Sequence, residues 1–189
     1  MTFLLRDAQA RDAAPLARFA AEVFEEAFAA DNDPADLAAY LAEAFSPEIQ
    51  GAEIADPNYR TLLLEVGGAL VGYAQLRRGE APDCVHEAAR GLDAPIELKR
   101  FYLAASVRGK GLAARLMEAA AGAAAAFGGS SLWLGVWENN ARARAFYRKS
   151  GFEDVGSHIF QLGSDAQTDR ILARRLDQSL ASGPAKASG

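Results

Sequence analysis

Residues 97–152 read ELKRFYLAASVRGKGLAARLMEAAAGAAAAFGGSSLWLGVWENNARARAFYRKSGF, and this stretch decides the fold. Its start, with Ile96 just ahead, reads as a strand from Ile96 to Leu103 that breaks at a loop holding Arg108, Gly109, Lys110 and Gly111. Beyond the loop, Leu112, Leu116, Met117 and Ala120 recur at helical spacing. A strand feeding a glycine-rich turn that opens a helix is a device for holding phosphate. Successive N–H groups converge in the turn, the helix start adds positive dipole, and glycine permits close backbone approach. The turn is therefore read as an anion site.

Two common phosphate loops are excluded. Leu112 and Ala113 stand where a nucleotide-triphosphatase loop would place lysine and a hydroxyl, and the G-x-G-x-x-G pattern also fails. What remains is Arg108-x-x-Gly111-x-Ala113 after a strand. Downstream lies Asn140-x-x-Ala143-x-x-Phe146-Tyr147-x-Lys149-x-Gly151-Phe152. This ordered pair resembles the two motifs of the GCN5-related N-acetyltransferases. The segment from Gly156 to Asp169, GSHIFQLGSDAQTD, resembles the closing signature of the subgroup typified by bacterial spermidine/spermine acetyltransferases.

The resemblance implies an α/β fold with a mixed, mostly antiparallel sheet, splayed between two central parallel strands and flanked by helices on both faces. It implies acetyl-CoA as cosubstrate, gripped by the turn from Arg108 through Gly109, Lys110, Gly111 and Leu112 to Ala113. Asn140 and Phe146 would lie along the pantetheine arm, with Asn140 also suited to capping its helix. A bulge over Phe101 to Leu103 would aim backbone N–H groups at the thioester carbonyl. Many relatives carry proline where this chain has Ala105.

Acetyl transfer needs a neutral amine, yet an amine of pKa ~10.4 is neutral about once in 10³ at pH 7. A base, or water leading to one, is therefore useful. By resemblance Glu97 is the leading candidate, with Glu138 or water as alternatives, and an ion pair with a neighbouring cation is the ordinary role for Glu97. Tyr147 matches the family's general acid, since a phenol stays protonated at neutral pH and can hydrogen-bond a developing thiolate. His158 reads as a structural strand residue. No activated Cys or Ser sits at either motif, so transfer is direct. No metal constellation appears.

Composition agrees with one enzyme domain. The chain has 189 residues, half of them hydrophobic, which suffices for a sizeable core, and residues 178–189 read as a disordered tail after a domain spanning 1–177. The net charge of −5 argues against nucleic acid or an anionic membrane as partner and favours a cationic acceptor. Together with this charge, the subgroup resemblance implies a polyamine or similar small amine as the leading substrate, with a protein or peptide amine as alternative. A module that senses acetyl-CoA without turning it over is the reading from another class. Family resemblance also implies a tendency toward homodimers. No apolar run approaches the ~18 residues of a membrane span and no leader pattern opens the chain, so a cytoplasmic location is expected. The single cysteine, Cys84, lies in a stretch that reads as loop and is taken as incidental.

Before the central stretch, Thr2 to Arg6 reads as a strand, and Asp12 reads as a helix cap with Pro15 in the first turn. Asp33-Pro34 and Ser46-Pro47 start two further helices. Glu22, Glu25, Glu26, Asp31, Asp33, Asp36 and Glu43 make this region acidic; most of them read as solvated, but the resemblance places the region over the acceptor cleft, so one or two are expected to grip a cationic acceptor. Gly67-Gly68 between two apolar runs reads as a hairpin turn, and Gly79 to Pro95 as a long loop. Ser131 to Val136 reads as a strand parallel to the one before it, because a helix intervenes. Phe152 to Leu162 and Arg170 to Leu176 read as the closing strands.

Overall fold

The computed structural model describes residues 2–89, 94–162 and 165–177. In chain order, β1 (Phe3–Asp7) leads to α1 (Ala13–Phe28), α2 (Pro34–Ala44) and α3 (Pro47–Ala55). The hairpin of β2 (Tyr59–Val66) and β3 (Ala69–Arg78) follows, then α4 (Asp83–Ala89) and β4 (Pro95–Leu103). The chain then forms α5 (Leu112–Ala126), β5 (Ser131–Trp137), α6 (Ala141–Lys149), β6 (Glu153–Leu162) and β7 (Asp165–Arg175). Among the described residues the strands make one seven-stranded sheet in the order β1-β2-β3-β4-β5-β7-β6. Every neighbouring pair is antiparallel except β4 and β5.

The parallel pair is where the sheet divides. Pairing between β4 and β5 covers Pro95, Ile96 and Glu97 against Ser131, Leu132 and Trp133, then stops although both strands continue. One core cluster packs α5 and α6 against Leu76, Ile96, Leu98, Leu132 and Leu134. A second packs α1 and α2 against Leu63, Tyr73 and Tyr102 from the opposite face. The expected helices on both faces, and the splayed mixed sheet, are present. Alanines 120, 121 and 124 of α5 are fully buried, so small side chains let this helix lie close on the sheet.

Local chemistry accounts for several boundaries. Asp33 accepts from the N–H groups of Ala35 and Asp36, and Ser46 from that of Ile49, each beside a proline in the first helical turn. Gly67 and Gly68 both have positive φ, as the hairpin requires.

Four readings are corrected. Asp12 does not cap α1, because its own backbone is already helical and its carboxylate is taken by Arg6, at 2.7 and 2.9 Å, and by the Gln9 N–H at 2.7 Å. The stretch from Gly79 to Pro95 is not all loop: α4 forms there because Val85 is fully buried against Trp133 and Ile171. Cys84 sits on this helix, and a side chain at Gly156 would stand 2.7 Å from its sulfur, so the thiol is a packing group. β7 begins at Asp165 rather than Arg170, held by pairing with β6 from Leu162 onward. Finally, the bulge in β4 is not over Phe101 to Leu103, which pair regularly with Ala74, Tyr73 and Gly72. Gln75 opposes Arg100 and Leu76 opposes Leu98, so Lys99 is the extra residue. The expected tail from 178 onward lies outside the described residues.

Candidate active site

A cavity of about 640 Å³ passes through the splay and reaches both faces of the sheet. On the α5 side it is bounded by the glycine turn. Gly109 and Gly111 both stand at φ 76°, a conformation that glycine adopts without strain. Gly111 is the N-cap of α5 and supplies no side chain, so the first N–H groups of that helix have no capping side chain. A Cβ at either glycine would meet no atom within 4 Å, so their requirement is the backbone conformation and room for a visitor.

The motif side chains divide between this cavity and the core. Phe101, Leu103, Arg108, Ala113, Asn140 and Phe146 line it, together with both glycines and Tyr147. Lys110 does not, since its ammonium turns back to the Ser106 carbonyl at 2.8 Å. Leu112 is 4% exposed and belongs to the core, leaving only its backbone for the turn. Asn140 caps α6, accepting from the Ala143 N–H at 3.0 Å. Phe146 stacks on Phe101 with ring centroids 5.6 Å apart, which fixes α6 against the unpaired part of β4.

Tyr147 is held by rings on three sides, Phe101 at 6.3 Å, Phe146 at 5.5 Å and Phe152 at 5.7 Å between centroids. Burial pushes its phenol above the ordinary tyrosine value, so the group keeps its proton at neutral pH.

The carboxylates fall differently from expectation. Glu97 does not line the cavity; it is engaged by Arg77, directly opposite on β3, at 2.5 Å. Glu138 is exposed on a turn and is likewise outside the lining. Of the acidic residues of α1 and α2 and the segment joining them, only Glu26 reaches the cavity, and Arg108 holds it at 3.1 Å.

On the α1 side of the sheet the wall is aromatic, formed by Phe24, Phe28, Tyr40, Tyr102 and Phe160. Lys99 and Arg100 border it, both tied to the buried Glu53 at 2.7 and 2.5 Å. Burial opposes the charge on Glu53, yet Arg100 and Lys99 together hold its carboxyl below the usual range. Asp169 of β7 also lines the cavity, with His158 of β6 3.8 Å away. Burial raises the Asp169 carboxyl above its ordinary value, and His158 opposes the shift. Reading the sequence missed this residue. Its signal was present in the alternation Gln167, Asp169, Ile171, Ala173, which puts a carboxylate in the inward row of a strand. Among the described residues no group of three or more His, Cys, Asp or Glu is placed to hold a metal ion. No helix among them is long and apolar enough to cross a membrane.

Comparison with known proteins gives a consistent result. The family model described as acetyltransferase (GNAT) family matches residues 19–152. An uncharacterized N-acetyltransferase of Lactobacillus delbrueckii subsp. lactis is 36% identical over 157 residues, covering 82% of this chain and 87% of that protein. One from Mycobacterium tuberculosis is 33% identical over 165 residues, covering 87% and 98%. Among solved structures, the PaiA N-acetyltransferase of Thermoplasma acidophilum in complex with coenzyme A superposes with a TM-score of 0.73 at 20% identity, over 93% of this chain and 99% of that one.

Proposed function

The chain belongs to the acetyltransferase (GNAT) family, and from that premise we propose that it transfers the acetyl group of acetyl-CoA directly to a small cationic primary amine. The observation that carries this reading is the joining, in one cavity, of the anion-binding turn and the buried phenol of Tyr147 through the splay of β4 and β5. The CoA pyrophosphate lies against the N–H groups of the turn from Arg108 to Ala113 and the start of α5. The pantetheine arm passes Asn140, Phe146 and the unpaired edges of β4 and β5, beside Phe101 and Leu103. There the amine nitrogen attacks the thioester carbon, a tetrahedral oxyanion forms, and the C–S bond breaks as the Tyr147 hydroxyl hydrogen-bonds the departing thiolate, which then takes a proton from water.

Because Glu97 and Glu138 stand outside the cavity, the proton leaving the amine goes to water in the open cleft. A polyamine, the acceptor indicated by the tail segment, is one member of this amine class. The chamber on the α1 side is walled by rings of α1, α2 and β6, which supports a small acceptor over a protein chain. Relatives named N-acetyltransferases favour turnover over mere sensing.

The test is Gly111→Val. A β-branched residue resists φ 76° and fills the space that phosphate needs, so acetyl-CoA binding is lost while the fold persists. Calorimetry that finds wild-type acetyl-CoA affinity in the folded variant removes the cofactor assignment.

A further inference from the structure

The acceptor side of the cavity has a charge balance that does not suit a polycation. Its wall is a chain of touching rings: Phe24 lies 4.6 Å from Phe28 and 4.9 Å from Tyr40, and Tyr40 lies 5.9 Å from Phe160, between centroids. Of the two carboxylates that line the whole cavity among the described residues, Glu26 is already paired with Arg108. Asp169 is the other, and its partner is the imidazole of His158. Two cations, Lys99 and Arg100, border the same chamber and share a single carboxylate, Glu53. A triamine would therefore bring three ammonium groups to one available carboxylate, next to two fixed cations. An amine with one charged end and an apolar body meets no such repulsion.

We propose that this chamber binds a primary monoamine with an aryl or bulky alkyl body, the ammonium arriving on Asp169 and the body against Phe24, Tyr40 and Phe160, and that the nitrogen gives up one proton to water in the cleft before it attacks the thioester. The proposal rests on the acetyl-transfer reading and names the acceptor of that same site. The geometry around Asp169 supports it. β5 reads SLWLGVW, and its one glycine, Gly135, is where a Cβ would stand 3.1 Å from Asp169 Oδ2 and 3.2 Å from His158 Nε2. The glycine makes room for this pair to lean over the strand, at the part of β5 no longer paired with β4. Asp169 lines the same cavity as the rings of Tyr40 and Phe160, so carboxylate and ring wall face one space. Ammonium groups are held well by a carboxylate flanked by aromatic faces. His158 does not line the cavity; it positions Asp169 from behind.

The test is calorimetry of phenethylamine and spermidine on the full chain saturated with CoA, with acetyl-CoA binding measured separately on the same preparation. Phenethylamine should bind about tenfold or more tighter than spermidine, because charge complementarity and ring contact both favour it. Asp169→Asn, a near-isosteric change, should weaken phenethylamine about tenfold or more and leave acetyl-CoA affinity unaltered. Phe160→Ala should weaken phenethylamine while changing spermidine little, a readout that a fold defect would not give. Tighter binding of spermidine, binding of neither amine, or a folded Asp169→Asn protein with wild-type amine affinity each overturns the proposal. Failure of acetyl-CoA binding in the wild-type chain would instead sink the acetyl-transfer reading.

Discussion

Replacing Tyr147 with phenylalanine removes one oxygen and leaves the ring among Phe101, Phe146 and Phe152. The magnitude follows from what that oxygen does. Burial raises the phenol above its ordinary value of ~10, whereas a thiol has a reference pKa near 8.5. Full proton transfer to the thiolate is therefore uphill in the site, and the hydroxyl acts mainly by hydrogen-bonding the negative charge that grows on sulfur. General acids contribute about 10²- to 10⁴-fold, and a good leaving group with a weak acid belongs at the low end. A loss of about 10² in kcat corresponds to ~2.7 kcal/mol of transition-state stabilisation. Steady-state release of CoA thiol should show kcat and kcat/KM falling together, with acetyl-CoA affinity unchanged. Thermal stability should move by less than about 1 kcal/mol, since the ring contacts persist and a buried hydroxyl contributes little net. Turnover within about twofold of wild type, or normal turnover with a marked fall in Tm, would refute the reasoning and make Tyr147 a packing residue.

Two further outcomes concern the ion pairs of Glu53 and Asp12. Glu53→Ala leaves Arg100, 8% exposed, without its counter-charge, while Lys99 can turn to water, so the loss should be about 3 kcal/mol, near the lower bound for breaking a buried pair. For a domain of this size that is roughly 6–12 °C in Tm, read by calorimetry, and a shift under about 2 °C would mean that the pair contributes nothing net. Stability should also fall on acidification. The Asp12 carboxyl is lowered chiefly by its hydrogen bond from Arg6, and the Glu53 carboxyl is lowered by Arg100 and Lys99 against the upward push of burial. A lowered folded-state value contributes stability that is fully present above the unfolded-state value, ~3.9 for Asp and ~4.3 for Glu, and is lost as pH falls through the folded-state value. Tm should therefore decline from about pH 5 downward, and Asp12→Asn and Glu53→Gln should each flatten part of that decline; an unchanged profile in both would remove the two groups from the acid transition.

What was legible in the sequence was the chemistry of short range. Asp33, Ser46 and Asn140 each cap a helix within three residues, and Gly67-Gly68 closes its own hairpin. The parallel relation of β4 and β5 followed from the helix between them. What was not legible depends on register. Arg77 meets Glu97 only because β3 and β4 pair in one particular alignment, and that meeting draws the expected base out of the cavity. Asp169 gains its place from pairing with Trp137 on one side and His158 on the other. The short α4 carries little signal of its own, since its stability comes from setting Val85 on Trp133 and Ile171, residues about 50 and 90 positions away in the chain.

The extra residue at Lys99 links the sheet to the chemistry. Side chains alternate along a strand, so without a bulge Ile96, Leu98, Arg100 and Tyr102 would share one face and Phe101 and Leu103 the other. The structure has Ile96, Leu98, Phe101 and Leu103 together on the α5 side, and Tyr102 on the α1 side. Inserting one residue reverses the alternation partway along β4, just beyond the point where pairing with β5 ends at Glu97 and Trp133. The reversal turns Phe101 toward Phe146, so that α6 braces the splay and sets Tyr147 beside it. It equally turns Arg100 toward Glu53 and Tyr102 into the ring wall of the acceptor chamber. Two chambers with opposite demands, one for an anionic arm and one for an amine, thus meet across a single strand because that strand changes its facing once. A bulge two residues later, over Phe101 to Leu103, would have sent Phe101 to the wrong side and left α6 with nothing to stack on.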